Sequence, residues 1–196
     1  MSINRCSWCL GDPLYEQYHD EEWGVPVRDE QGLFERLVLE GMQAGLSWLT
    51  VLRKREHMRS RFFDFAVDEL AAADEATLAS WLQDAGLIRH RGKLVAMVKN
   101  AGLVQAHGDF SQWVWSFAPT PTPKRTPTHR TLASIPSQTE ESTAMSKALK
   151  KAGFGFVGPT TCYAFMQSVG MVNDHVAKCW RQPVCADLVS DSKQQI

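Results

Sequence analysis

The stretch SKALKKAGFGFVGPTTCYAFMQSVG, Ser146 to Gly170, decides how the rest of the chain is read. Met145 and Leu149 stand one helical turn apart, and Lys147, Lys150 and Lys151 fall off that apolar line, so the segment begins as a lysine-bearing amphipathic helix. It runs into Gly153-Phe154-Gly155-Phe156-Val157-Gly158, after which Pro159 or Thr160 opens a second helix with Tyr163, Met166 and Val169 as its apolar side. Glycines let the backbone turn sharply and present amides at a helix N-terminus, which holds a phosphate without needing a large basic surface. The expectation is a helix, a glycine hairpin and a second helix over about 142–170. Gly153, Gly155, Gly158, Lys147, Lys150 and Lys151 would face a polyanion. The plainer alternative is an ordinary helical corner with solvated lysines.

Upstream, DAGLIRHRGKLVAMVKNA, Asp84 to Ala101, repeats the logic. A glycine ends one helix and Arg89, Arg91, Lys93 and Lys99 open and line the next. Charge is segregated elsewhere too: residues 1–40 hold nine acidic side chains against Arg5, Arg28 and Arg36. The formal net charge of −1 over 196 residues therefore hides two local basic tracts. Apolar residues recur at helical spacing throughout, as in Leu33, Phe34, Leu37, Val38 and Met42, and no stretch alternates as a strand does, so an all-α chain is expected. Asp12-Pro13 caps a short helix from Leu14 to Asp20. One domain over 1–186 is expected, with the Pro- and Thr-rich segment Ala118–Thr131 as a surface connection and 187–196 as a disordered tail.

A hydrophobic content of 44% supplies a real core and excludes a disordered chain or a scaffold built on disulfides. No apolar run reaches the length of a membrane span and the start lacks a secretory pattern, so the reading is a cytoplasmic protein with no membrane partner. Nothing points beyond a monomer. Five cysteines in a reducing compartment are metal ligands, reactive thiols or core fillers more often than disulfides. His175 and Cys179, four apart, would share a helix face as a zinc-type ligand pair, and Cys6, Cys9 and His19 could supply two further ligands from the other end of the chain. The alternative is a core pair.

Trp8, Tyr15, Tyr18, Trp23 and Trp48 crowd the first 48 residues. Such rings form either core or a slot for a planar ligand. Glu40 favours the slot. It lies seven residues after Leu33 and three after Leu37, so it faces inward with the apolar stripe, where a carboxylate is costly unless partnered or functional.

Taken with CSWC, DPLYEQYHDEEWGVP and LFERLVLEGMQAGLSWLTVLRKRE, the two basic tracts and the following MVNDH resemble the bacterial type I 3-methyladenine DNA glycosylases, over about Arg5 to Cys179. The resemblance implies an all-α helix-hairpin-helix DNA glycosylase fold, with two helical lobes and a zinc clip joining the N- and C-terminal segments. It implies Cys6, His19, His175 and Cys179 as ligands of one structural Zn2+, with Cys9 outside the pattern. It also implies a base pocket of Glu40, Tyr18, Trp8 and Trp48, with Tyr15 and Trp23 beside them, and Leu46 entering the base stack next to the lesion. The partner would be double-stranded DNA carrying alkylated bases, and the product free 3-methyladenine. Glu40, as an ionised carboxylate, would recognise and stabilise the cationic base. The wider superfamily places a catalytic aspartate where this chain has Asn173, and its bifunctional members place a nucleophilic lysine in the hairpin, where this chain has none. Monofunctional hydrolysis, leaving an abasic site, is the implied activity. Two other classes remain: a zinc-stabilised helix-hairpin-helix DNA-binding module without catalysis, which would not need Glu40, and a redox enzyme built on Cys6 and Cys9, which would need a low-pKa thiol there.

Overall fold

A computed structural model describes residues 3–119 and 131–191. The described residues are helical, with no strand among them. α1 spans Pro13–Glu21, α2 Glu30–Gln43, α3 Trp48–Arg61, α4 Val67–Ala71, α5 Glu75–Gln83, α6 Arg91–His107 and α7 Phe110–Trp115. α8 follows at Glu140–Lys151, α9 at Pro159–Ser168 and α10 at Arg181–Asp191. Most of the expected connection Ala118–Thr131, and the tail beyond residue 191, lie outside the described residues. α10 itself runs past the residue 187 at which the sequence reading begins the tail.

The helices start where short polar side chains take the first free amides. Asp12 accepts from Leu14 and Tyr15 with Pro13 at the first position, Asp29 accepts from Gly32, and Ser47 from Thr50. Thr139 and Ser142 cap α8 reciprocally, with Glu140 and Glu141 at its positive end and Lys150 and Lys151 at its negative end. Each cap contributes about 1 kcal/mol, so chain entry into α1, α2, α3 and α8 is fixed locally, before packing.

α2 is the hub, with α3, α6, α7 and α9 packed on it. Its stripe Leu33, Phe34, Leu37, Val38 and Met42 is buried. α4 and α5 cover α6, and α8 lies against α9.

One local expectation fails. Asn173 to Cys179 is not a helix but a loop with a turn at Ala177–Lys178. The Asn173 side chain accepts from the His175 amide, a local bond that competes with helical pairing, so the four-residue spacing of His175 and Cys179 does not put them on one helical face.

Candidate active site

The glycine hairpin joins α8 to α9. Gly153 sits at φ +101°, a conformation an L side chain strains to adopt. Gly155 lies so close to α6 that a Cβ there would stand 2.9 Å from the Ala96 Cβ. Its N–H donates to Asn100 Oδ1 at 2.9 Å, and Asn100 Nδ2 donates back to its carbonyl at 3.1 Å. Both polar groups of Gly155 are thus spent on α6, which corrects the expectation that its amide faces a phosphate. The N-terminus of α9, at Gly158, has no side-chain cap and keeps that possibility.

Docking the hairpin on α6 also brings the two basic tracts together. Lys99 reaches Gly153, and Lys99, Lys147, Lys150 and Lys151 are all exposed. Lys93 does not join them. It is buried, and its Nζ donates to the carbonyls of Met42 at 2.8 Å and Ala44 at 2.6 Å, closing the end of α2. The loop it anchors carries Leu46, a large apolar side chain left 42% exposed.

Behind that loop, Trp8, Tyr15, Tyr18, Trp23, Glu40 and Trp48 line one cavity of about 320 Å³. The rings brace one another at tilted angles, with centroids 4.9 Å apart for Trp8 and Tyr15, 5.0 Å for Trp8 and Trp23, and 5.3 Å for Tyr18 and Trp48. Glu40 is 5% exposed. Arg36, one turn earlier on α2, would be its natural counter-ion, but Glu22 takes it: Arg36 Nη2 lies 2.6 Å from Glu22 Oε2, and Arg55 grips the same carboxylate at 2.7 and 2.8 Å. Neither the Glu40 carboxyl nor the Tyr18 hydroxyl has a hydrogen-bond partner among the described residues. Burial pushes the Glu40 carboxyl up to about 8, with Arg36 opposing only in part. The group is therefore mostly protonated in the free protein at neutral pH.

The cavity shares a wall with a cluster of sulfur and nitrogen ligands. One atom each of Cys6, His19 and Cys179 lie within 4.8 Å of one another, all buried. Cys179 Sγ is 3.3 Å from His19 Nε2. His19 Nδ1 donates to Asp20 at 2.8 Å, and Arg5 holds Asp20 in turn, which leaves His19 Nε2 with its lone pair. His175 packs edge-on to His19, ring centroids 5.0 Å apart. Its Nδ1 donates to Asn173 Oδ1 at 3.0 Å, so its Nε2 also carries a lone pair, buried and without a partner. The Cys6 thiol, hydrogen-bonded to Cys179, is pushed up, while that contact pulls the Cys179 thiol down. Cys6, His19 and Cys179 form a group that could hold a metal ion, and the bare Nε2 of His175 lies beside it. Cys9 stays apart. Its thiol donates to the Cys6 carbonyl at 3.1 Å, and burial pushes it up to about 11, so Cys9 lacks the low pKa a redox thiol would need.

The site also holds residues that the sequence reading passed over. Gln43, Leu132, Ile135, Ala164 and Gln167 complete the cavity wall. Asn173 accepts from the His175 ring and donates to the Gln182 carbonyl. No helix of the described residues is long and apolar enough to cross a membrane.

With this geometry in place, comparison with known proteins gives concordant results. Residues 8–182 match the family model described as methyladenine glycosylase. The chain is 50% identical over 185 residues to the DNA-3-methyladenine glycosylase 1 of Escherichia coli K12, covering 92% of this chain and 98% of that one. A crystal structure of a 3-methyladenine DNA glycosylase I superposes with a TM-score of 0.86 at 48% identity, covering 90% of this chain and 98% of the other. The Staphylococcus aureus 3-methyladenine DNA glycosylase I, whose structure was solved to explain its recognition of 3-methyladenine, superposes with a TM-score of 0.84 at 34% identity, over 93% and 98% of the two chains.

Proposed function

Because the chain belongs to the methyladenine glycosylase family, we propose that it hydrolyses the N-glycosidic bond of 3-methyladenine in alkylated double-stranded DNA, releasing the free base and leaving an abasic site. The observation that carries this reading is the buried, unpartnered Glu40 carboxyl facing a cavity walled by aromatic rings. A protein that only bound DNA would have no use for that cavity, and Glu40 there costs it stability.

Alkylation at N3 makes adenine cationic, so the glycosidic electrons already have somewhere to go. Water adds at the sugar carbon and loses a proton to solvent, the electron pair of the broken glycosidic bond stays with the ring nitrogen, and the base departs neutral. The protein's task is then mainly recognition. The nucleotide leaves the stack at a cost of a few kcal/mol, Leu46 fills the space it vacates, and Trp8, Tyr15, Tyr18, Trp23 and Trp48 offer ring faces to the cation. Glu40 releases its proton to solvent as the cation arrives and faces it as a carboxylate, a charge pair in a water-poor slot that favours the damaged base over neutral adenine. Exposed lysines 147, 150 and 151, with the uncapped start of α9, hold the phosphates. The protein works as a cytoplasmic monomer.

The ligand set at the chain ends is assigned to one structural Zn2+, held by Cys6, His19, His175 and Cys179. It supplies no chemistry to the base. It ties the first 20 residues to the loop after α9, and Trp8 and Trp23 lean on the two histidines, at 5.4 Å from His19 and 4.5 Å from His175.

With no lysine between Gly153 and Gly158, no Schiff base can form with the sugar from the hairpin. Borohydride added during turnover should trap no protein–DNA adduct, and strands should break only after alkali. A trapped adduct would refute monofunctional hydrolysis. Replacing Lys150 and Lys151 together by Gln should lower DNA affinity and reduce the slope of log affinity against log salt by about one to two, with the identity of the released base unchanged.

A further inference from the structure

Gln167 shares the cavity wall with Glu40 and Tyr18. It stands one helical turn after Tyr163 on α9, and both side chains reach Asp174, a buried residue of the loop that follows. The Tyr163 hydroxyl donates to Asp174 Oδ2 at 2.6 Å, and Gln167 Nε2 donates to the same oxygen at 2.7 Å. An oxygen that already receives the tyrosine O–H can accept but not donate, so the amide must present its nitrogen to Asp174. Its carbonyl oxygen is the end that remains, and no described residue donates to it.

From this we infer that Gln167 reads the exocyclic amine of the flipped base, a conclusion that rests on the cavity being the base pocket. A 6-aminopurine carries two N–H groups on that nitrogen. Glu40 and Gln167, from α2 and α9, give the cavity an acceptor for each. A 6-oxopurine puts a carbonyl oxygen in the same place, where it meets an acceptor whose orientation is locked and which cannot turn its amide nitrogen around without breaking the bond to Asp174. A buried polar group left unpaired discriminates more sharply than any difference in stacking. Gln167 is therefore a specificity residue for 3-methyladenine against 3-methylguanine, and Tyr163 and Asp174 are its positioning residues.

The test is release of the two bases from one methylated duplex by the parent and by Gln167→Met, which keeps the side-chain length and removes the acceptor. Thermal melting is followed alongside, and Gln167→Asn, which withdraws the oxygen but keeps the amide, serves if the first variant melts lower. Expected is a loss of about ten- to a hundredfold in kcat/KM for 3-methyladenine with 3-methylguanine release nearly unchanged, so that the selectivity ratio collapses. Asp174→Asn, which can donate to the Gln167 oxygen and let the amide turn over, should collapse the ratio partially. An unchanged ratio, or equal losses on both bases, in a variant that melts like the parent overturns the assignment of Gln167. Release of neither base by the parent would overturn instead the base-pocket reading on which it stands.

Discussion

Glu40→Gln is expected to make the folded protein more stable and the reaction slower. The carboxyl titrates at about 8 in the fold, against 4.5 for an ordinary glutamate. Its pKa is raised on folding, so the sign is the reverse of a salt-bridged acid. Between pH 4.5 and 8 the unfolded chain has lost the proton and the folded one keeps it, and stability falls as pH rises, by up to roughly 1.4 kcal/mol per pH unit from this group. At pH 7 the accumulated cost is about 3 kcal/mol. Gln keeps the shape and has no proton to lose, so the variant should be more stable than the parent at pH 7 by about that amount and equal to it near pH 4. Denaturant melts at several pH values check this; parallel stability curves for the two proteins between pH 4.5 and 8 would show that the carboxyl does not carry the shift. The same substitution removes the charge that meets the cationic base, and base release should slow by about a hundredfold. In the parent, kcat/KM should rise with pH until about 8 and in the variant should lose that limb.

Cys179→Ser, or exhaustive chelation, should cost stability of a comparable size in the opposite direction. Metal held by both chain ends binds the folded state alone, so its binding free energy is folding free energy. Loss of a ligand should lower the melting temperature by about 10 °C or more, on the scale of 2 to 4 °C per kcal/mol for a chain of this size. Purified parent should contain one zinc, and Cys9→Ser should retain it, because the Cys9 thiol is turned to the Cys6 carbonyl. Because Trp8 and Trp23 pack on His19 and His175, the cysteine variant should also bind base more weakly, by less than Glu40→Gln. Metal-free protein that melts with the parent would remove the clip from the account.

What the sequence disclosed follows from the range of its signals. The stripe of α2 and the inward register of Glu40 are properties of one helix and can be counted off by period. The caps at Asp12, Asp29 and Ser47 are equally local. The glycine hairpin was legible as a turn, yet the partner that consumes the Gly155 amide, Asn100, stands 55 residues away, and nothing in the hairpin's own composition points to it. Lys93 reads as one more cation of a basic tract until the fold turns it inward to the end of α2. The spacing of His175 and Cys179 suggested the wrong backbone, because helical periodicity cannot foresee that the Asn173 side chain will take the His175 amide. Gln167 escaped notice because a glutamine on a helix carries no signal of its own; that Asp174 fixes which end of its amide is free is a tertiary fact. Even the unpaired state of Glu40 is a tertiary fact, since Arg36 lies one turn away and is drawn off by Glu22.

The most direct measurement is chromatography of the bases freed from methylated duplex DNA by the parent and by Glu40→Gln, at pH 7 and matched protein concentration. The parent should free 3-methyladenine without breaking the strand, and the variant, although the more stable of the two, should free it about a hundredfold more slowly. If the parent frees no methylated base, or the variant frees it as fast as the parent, the claim that a buried carboxyl in an aromatic cavity excises the damaged base is contradicted.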